Sequence, residues 1–334
     1  MRRKILYPLF FLSLLILYFF TFNFFNSSEA ISTFKQYSSP NYKISKSDVT
    51  SYLNSNSENH EDFEYNIKKT ILNNLGYEKW EEYIDYIELK LYRENVVHNN
   101  TPQLVAVLNL SKDLATVVIY EEANKEYIYK SKLENLSKIK EIKFLENDIF
   151  QQDLMLIHQE IDEYFGAFFY KELLDIYIYN NKSFVNLWEQ TTFFEESYKE
   201  SWINPTDNSD KWNRVIEKTE IQFDFTDLAK INTYTEQLKY SAFSNLQPDK
   251  NTYTLEDKYT FSQSYYWSSE YNSFILGEVS KETFLTDVAL IKDMDTSVER
   301  LFGINNKNLK VLSKNGEVSF LNKNKFSGLF QNDK

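Results

Sequence analysis

The chain has 334 residues with 37 basic and 49 acidic side chains, a formal net charge of −12, and no cysteine. The acidic excess repels the phosphate backbone of nucleic acids, so nucleic-acid binding is disfavoured. The lack of cysteine excludes thiol catalysis, cysteine-bound zinc and iron–sulfur clusters. A chain of this length can bury a core that is stable without disulfides.

The few glycines exclude a further class of chemistry. The chain contains only 6 Gly, and none of them belongs to a Gly-x-Gly pattern. Phosphate loops, dinucleotide-binding turns and nucleophile elbows all depend on closely spaced glycines. We therefore expect no nucleotide partner and no cofactor.

An apolar run from Ile5 to Phe25 follows three basic residues at positions 2–4. As a helix rising about 1.5 Å per residue, this run is long enough to cross a bilayer core. The basic flank predicts a cytoplasmic N-terminus and an extracytoplasmic bulk. Residues 1–25 are thus expected to be a membrane anchor or uncleaved signal segment of a single-pass cell-membrane protein. The triplet ending at Ala30 has signal-peptidase spacing, so secretion after cleavage there is the alternative.

The segment from 26 to 60 is rich in Ser, Asn and Lys and shows no sustained hydrophobic period. Such a composition buries too little apolar surface to order itself, which predicts a flexible tether. Two apolar stripes at helical spacing follow, one from Phe63 to Leu75 and one from Trp80 to Leu91. They predict a helical hairpin, within residues 61–100, that packs on a sheet.

Strand signals dominate from 101 to 280. Continuous β-branched runs at 103–110 and 114–120 predict strands covered on both faces, and the alternating segment 126–132 predicts a third strand beside them. Segment 133–144 fits either a helix or a strand. Regular strand spacing with few helices predicts an antiparallel sheet, arranged as a sandwich, barrel or partial propeller. The further predicted strands lie at roughly 153–161, 167–179, 183–194, 212–225, 229–240, 253–267 and 270–279.

Residues 281–334 are expected to form a helix and a β-hairpin. Ser280 is suited to cap a helix that runs to Gly303. Asn315-Gly316 lies between two short apolar runs and predicts a hairpin with a type I′ turn. The whole chain is thus predicted to be mainly β with helical additions (α+β), preceded by a helical hairpin and an N-terminal membrane helix.

Aromatic side chains are abundant, with 25 Tyr, 27 Phe and 5 Trp. Two tryptophans bracket the loop at Pro205, and three further rings lie in or beside the predicted hairpin at 253–279. Rings exposed on a rigid sheet suit stacking against sugars or a protein interface, whereas buried rings only pack the core. The candidate ligand-binding residues are Trp202, Trp212, Tyr265, Trp267 and Tyr271.

No residue is assigned a catalytic or metal-binding role. His158 shares a strand face with Glu160, but no HExxH or HxH pattern accompanies it, so a partly buried His–Glu pair is the expected reading. Acidic residues cluster around Glu195 and Glu196, and two carboxylates are sufficient for a glycosidase. With 49 acidic residues, a solvated acidic face is the simpler interpretation.

These observations predict a membrane-tethered, extracytoplasmic cell-envelope protein that acts as a non-enzymatic binding or interaction module. A glycan or an envelope protein would be its partner, besides the membrane contacted through residues 5–25. Two alternatives stay open. One is a secreted, glycosidase-like hydrolase with two carboxylates, and the other is a scaffold or assembly factor without a small-molecule ligand.

Overall fold

A computed structural model describes the chain from residue 43 onward. The described part is mainly β, with antiparallel sheets and few helices, as the sequence predicts. The predicted anchor at 1–25 and most of the predicted tether at 26–60 lie outside it. No helix in the described part is long and apolar enough to cross a membrane. The described residues are 43–54, 60–97, 101–146, 149–164, 168–180, 182–207, 209–225, 229–279, 287–304 and 306–326.

Two helices open the described chain, α1 (Lys46–Leu53) and α2 (His60–Leu75). The side chain of Ser45 caps α1 by accepting a hydrogen bond from the backbone nitrogen of Ser47 at 3.2 Å. Helix α2 confirms the first predicted helix, and Gly76 follows it with a φ of 73°. A left-handed residue at this position closes the helix end, which glycine does without strain.

The second predicted helix is wrong in its second half. Residues Glu78–Tyr86 form a 3₁₀ helix, and strand β2 begins at Glu88. Leu89 and Leu91 are buried while Lys90 between them is exposed, which is the alternation of a strand. The apolar spacing fits a helix equally well, and pairing with the neighbouring strand decides the outcome.

The first sheet has the order β1-β5-β4-β3-β2 and is antiparallel throughout. Every residue of β3 is buried. Leu104 and Leu108 pack with the helices, whereas Val105 and Val107 pack with the second sheet. The predicted coverage on both faces is therefore confirmed. The strands are β1 Ile44–Ser45, β2 Glu88–Glu94, β3 Gln103–Asn109, β4 Ala115–Ala123 and β5 Glu126–Leu136.

The second sheet is a meander of eight antiparallel strands that follow one another in chain order, β6 to β13. The ambiguous segment 133–144 is extended and contributes to β5 and β6. The strands are β6 Lys138–Leu145, β7 Leu154–Glu163, β8 Phe169–Asn180, β9 Ser183–Lys199, β10 Lys211–Asp224, β11 Lys230–Phe243, β12 Thr254–Ser268 and β13 Ser273–Ile275.

This sheet bends back on itself. The hydroxyl of Ser273 on β13 donates a hydrogen bond of 3.0 Å to the carbonyl oxygen of Leu187 on β9, although three strands lie between them in sheet order. The rings of Trp188 and Tyr265 meet edge to face at 5.5 Å inside the bend. The pairing of β8 with β9 contains register shifts. Such irregularities increase the local twist of a sheet, which is consistent with the bend.

A third sheet has the order β14-β15-β16-β17. Its strands are β14 Gly277–Val279, β15 Val288–Asp293, β16 Asn308–Ser313 and β17 Val318–Asn322. The predicted helix up to Gly303 is wrong across Val288–Asp293, because the short apolar run pairs with β16 instead. Two 3₁₀ helices, Met294–Thr296 and Val298–Phe302, complete the connection.

The C-terminal hairpin is confirmed, but its turn differs from the predicted type I′. The backbone nitrogen of Gly316 donates to the carbonyl oxygen of Ser313 at 3.0 Å, and Gly316 has a φ of 86°. A type I′ turn also needs a positive φ at Asn315, which does not have one. The turn is therefore a three-residue loop that ends in a left-handed glycine.

Candidate functional site

Two of the five candidate rings lie together. Trp202 is on the short helix α3 (Glu200–Ile203), and its ring centroid is 5.3 Å from that of Trp212. The indole nitrogen of Trp212 donates to the carbonyl oxygen of Ser244 at 3.1 Å, and this ring is buried. Trp202 is 55% exposed and stacks nearly parallel to Phe168 at 6.3 Å. Only Trp202 of the pair can offer a ring to a partner.

The other three candidate rings belong to the interior. Tyr265 and Tyr271 are buried, and Trp267 is half-buried, with its ring 4.9 Å from Phe150. Tyr266, which lies between Tyr265 and Trp267 on β12, is exposed, as the alternation of side chains along a strand requires. No ring contact in the described chain joins these three to Trp202 or Trp212. The five candidates therefore do not converge on one groove.

Exposed apolar side chains occur at the end of the second sheet where Trp202 lies. This end contains α3 after β9, the start of β10, and the end of β11. Phe243 on β11 pairs with Lys211 on β10, directly before Trp212. Phe243 is 75% exposed and Leu246 79%. The surface formed by Trp202, Ile203, Phe243 and Leu246 is called the apolar patch.

A pocket of about 230 Å³ lies between the second sheet and the chain that leaves β15. Its charged side chains are Lys171 on β8, Glu217 on β10, Lys292 on β15 and Glu299 in the 3₁₀ helix Val298–Phe302. It is called the lysine pocket. The remaining lining residues are Phe169, Gln190, Thr191, Phe194, Phe261, Gln263, Thr296, Ser297 and Val298.

Two lysines and two glutamates line the lysine pocket, and burial shifts the pKa of one lysine and of one glutamate. Burial lowers the pKa of Lys171, while Glu189 opposes that effect and the nearby Lys292 adds to it. Burial raises the pKa of Glu217, although its Oε2 accepts a hydrogen bond of 2.6 Å from Nε2 of Gln237. Neither lysine forms an ion pair with any residue in the described ranges. Perturbed groups that converge in a pocket are typical of a binding site.

Sequence reasoning missed this pocket. Lys171, Glu217 and Lys292 lie on separate strands and belong to no local motif. The only available signal was Lys171 within a predicted strand, and a lysine there is usually solvated. The bend of the second sheet and the packing of β15 bring the three side chains together.

An open groove of about 510 Å³ lies at the ends of β2 and β7. It contains Glu94 and Asp153, and burial, together with the charge of Asp153, raises the pKa of Glu94. The backbone nitrogen of Asn95 donates to Oδ2 of Asp153 at 2.9 Å. Two carboxylates in unequal surroundings can act as an acid and a base.

The acidic residues singled out in the sequence are arranged differently. Glu195 is buried, with the Nε of Arg214 at 2.8 Å and the Nζ of Lys250 at 3.2 Å from its Oε1. The hydroxyl of Tyr164 donates to its Oε2 at 3.0 Å. Glu196 is the next residue on the same strand and points to the opposite face. The two carboxylates thus do not form an acid–base pair.

His158 lies on β7 and is half-buried, and burial lowers the pKa of its imidazole. Its expected partner Glu160 is instead bound to Lys138, whose Nζ lies 3.0 Å from Oε1. Within the described ranges, no group of three His, Asp or Glu side chains is placed to hold a metal ion.

Comparison with protein-family models, with curated proteins and with solved structures gives no match to this chain. Function is therefore inferred from three surfaces of the molecule itself. These are the apolar patch, the lysine pocket and the groove that contains Glu94.

Proposed function

We propose that the chain is a membrane-tethered, extracytoplasmic protein of the cell envelope that binds a partner protein through the apolar patch. The apolar run from Ile5 to Phe25 and the basic flank before it support the tether and the orientation. The acidic net charge of −12 disfavours the anionic face of a membrane as the occupant of the patch.

The observation that carries this proposal is the occurrence of four exposed apolar side chains at the end of the second sheet that includes Trp202. Isolated exposed apolar residues are ordinary, but a group of them at one end of a sheet marks an interaction surface. Ile203 and Leu246 are aliphatic, and they offer a sugar neither stacking nor hydrogen bonds. The patch therefore suits a protein better than a glycan.

The position of Trp202 makes it a suitable anchor for that interface. Its ring stacks on Phe168 and meets Trp212 edge to face, so few rotamers are left to lose on binding. Large rings held in this way carry much of the energy of protein interfaces. The partner would cover the exposed side of Trp202 together with Phe243.

The test uses the full-length chain in nanodiscs and an envelope extract of its own source. A photo-reactive side chain at Leu246 should cross-link one defined partner. The double variant Trp202→Ala, Phe243→Ser should abolish that cross-link. Tyr86→Ala is the matched control, because it removes an exposed ring from the 3₁₀ helix Glu78–Tyr86, outside the apolar patch. This variant should leave the cross-link intact.

Several results would overturn the protein-partner proposal. Cross-linking that survives the double variant would place the interface elsewhere. Patch-dependent binding to a polysaccharide array would assign a glycan instead, and patch-dependent dimerisation in sedimentation would assign a second copy of the chain. The compartment is tested separately by protease treatment of intact cells, and a mature N-terminus at Ile31 would replace the tether with secretion.

A two-carboxylate hydrolase is the second candidate, and the raised pKa of Glu94 beside Asp153 favours it. Such an enzyme would turn over a polysaccharide and lose that activity in both Glu94→Gln and Asp153→Asn. Glu141→Gln, which changes an exposed acid on β6, should keep full activity. A broad polysaccharide panel without turnover would remove this candidate.

A further inference from the structure

We propose that the lysine pocket binds a small organic monocarboxylate that carries a hydrogen-bond donor and an apolar group. This inference goes beyond the proposed partner surface, because the pocket shares no residue with the apolar patch or with the groove. It depends on the arrangement of Lys171, Lys292 and Glu217.

The two lysines define the charge of the ligand. Lys171 is half-buried on β8, and Lys292 stands exposed on β15 at the same pocket. Neither has an ion-pair partner in the part of the chain that the structure describes. Glu217 and Glu299 line the same pocket, but no described carboxylate lies within ion-pair distance of either lysine, so a carboxylate that enters can bind both of them directly.

Glu217 defines the remaining polar contact. Its Oε2 accepts from Nε2 of Gln237 at 2.6 Å, and the same nitrogen donates to the carbonyl oxygen of Thr296 at 2.8 Å. No described residue donates to Oε1 of Glu217, so this atom is available to a donor on the ligand. The carboxyl also disfavours a doubly charged phosphate, which it would repel inside a poorly solvated pocket.

The walls and the size of the pocket limit the rest of the ligand. Phe169 and Phe194 meet edge to face at 5.4 Å on one side, and Phe261 is a third lining ring. These rings favour an apolar group rather than a second charge. The pocket of about 230 Å³ holds roughly eight water molecules at about 30 Å³ each, so the ligand is about as large as a single amino acid.

The test measures binding of defined probes to the full-length chain in nanodiscs by calorimetry. L-leucine carries the carboxylate, the donor and the apolar group, 4-methylpentanoate lacks the donor, and leucinol lacks the carboxylate. We expect L-leucine to bind, 4-methylpentanoate to bind several-fold more weakly, and leucinol and inorganic phosphate to show no binding.

Variants then assign the site. Lys171→Met should weaken L-leucine binding at least tenfold and leave the free energy of unfolding unchanged or higher, since it removes an unpaired, half-buried charge. Glu217→Gln keeps a group that Gln237 can donate to, and it should weaken L-leucine without affecting 4-methylpentanoate. Lys218→Met is the matched control, because this exposed lysine is adjacent to Glu217 but points to the other face.

The proposal fails if no carboxylate binds, if leucinol binds as well as L-leucine, or if only phosphate binds. It also fails if Lys171→Met leaves the affinity for L-leucine unchanged while the protein is folded. Equal effects of Glu217→Gln on L-leucine and 4-methylpentanoate would overturn the role of the donor.

Discussion

The Nε of Arg214 donates a hydrogen bond of 2.8 Å to Oε1 of Glu195, and both side chains are largely shielded from water. Burial alone would raise the pKa of Glu195, but the bonds and charges of Arg214 and Lys250 outweigh it and hold that pKa below 4.5. Arg214→Ala would leave a buried carboxylate without its main partner. We expect a loss of about 3–5 kcal/mol in the free energy of unfolding, measured by urea at neutral pH.

The pH dependence provides the control for this pair. Because the folded pKa of Glu195 is depressed, its contribution is present above the unfolded value of 4.5 and disappears as the pH falls through the folded value. The difference between wild type and Glu195→Gln should therefore shrink in acid. Lys258→Ala breaks a more exposed pair with Glu236 and should cost under about 1 kcal/mol. Similar costs for both pairs would contradict this account.

The ionisation of Asp175 should change the free energy of unfolding with pH in the direction opposite to that of Glu195. Burial, with a further contribution from Glu189, raises its pKa from 3.8 to about 6. A raised folded pKa gives stability that is complete below 3.8 and is lost as the pH rises through about 6. Wild type should lose up to about 3 kcal/mol between pH 4 and pH 7 from this residue. Asp175→Asn should lack this loss. The control Glu220→Gln changes an exposed acid on β10 and should retain the loss. Urea denaturation between pH 4 and pH 7 measures both variants.

Trp202 and Trp212 should differ sharply in their effect on stability. Trp212 is buried and its indole nitrogen is bonded to Ser244, so Trp212→Ala should cost about 3–5 kcal/mol. Trp202→Ala removes a ring that is mostly in water and should cost under about 1 kcal/mol. Thermal unfolding measures both. A large cost at Trp202 would mean that its ring supports the fold rather than a partner.

Gly316 lies in the turn between β16 and β17, and Gly277 lies on β14 of the same sheet, so the two glycines provide a test position and its control. Gly316 has a φ of 86°, where an added Cβ is strained, and Gly277 has ordinary backbone geometry with open space around it. Gly316→Ala should destabilise the third sheet by about 1 kcal/mol, whereas Gly277→Ala should be neutral or slightly stabilising. Amide chemical shifts along β16 and β17 would report fraying in the first variant alone.

The sequence predicts most strands correctly because alternation and β-branched runs report directly which positions are buried. Predicted segments 212–225 and 229–240 correspond closely to β10 and β11. The errors occur at short apolar segments such as Val288–Asp293, where helical and extended periods fit equally well. The strand partner decides such cases, and no local pattern reveals it.

The candidate site was much harder to predict than the fold. The sequence predicts that Trp202 and Trp212 lie near each other, because only the short loop at Pro205 separates their two elements. Tyr265 and Tyr271 are interior because the second sheet bends back over them, and no local pattern in the chain indicates that bend. The lysine pocket depends on the same bend, since Lys171 and Lys292 meet only across two sheets.

Strand β3 lies between a helical layer and a second sheet, and each of its residues is buried. Its amide protons are hydrogen-bonded to β2 on one side and β4 on the other. Solvent can reach them only when one of these layers separates, so their deuterium uptake should be the slowest in the molecule. The exchange rate at Val105 and Val107 then reports how often the two sheets come apart.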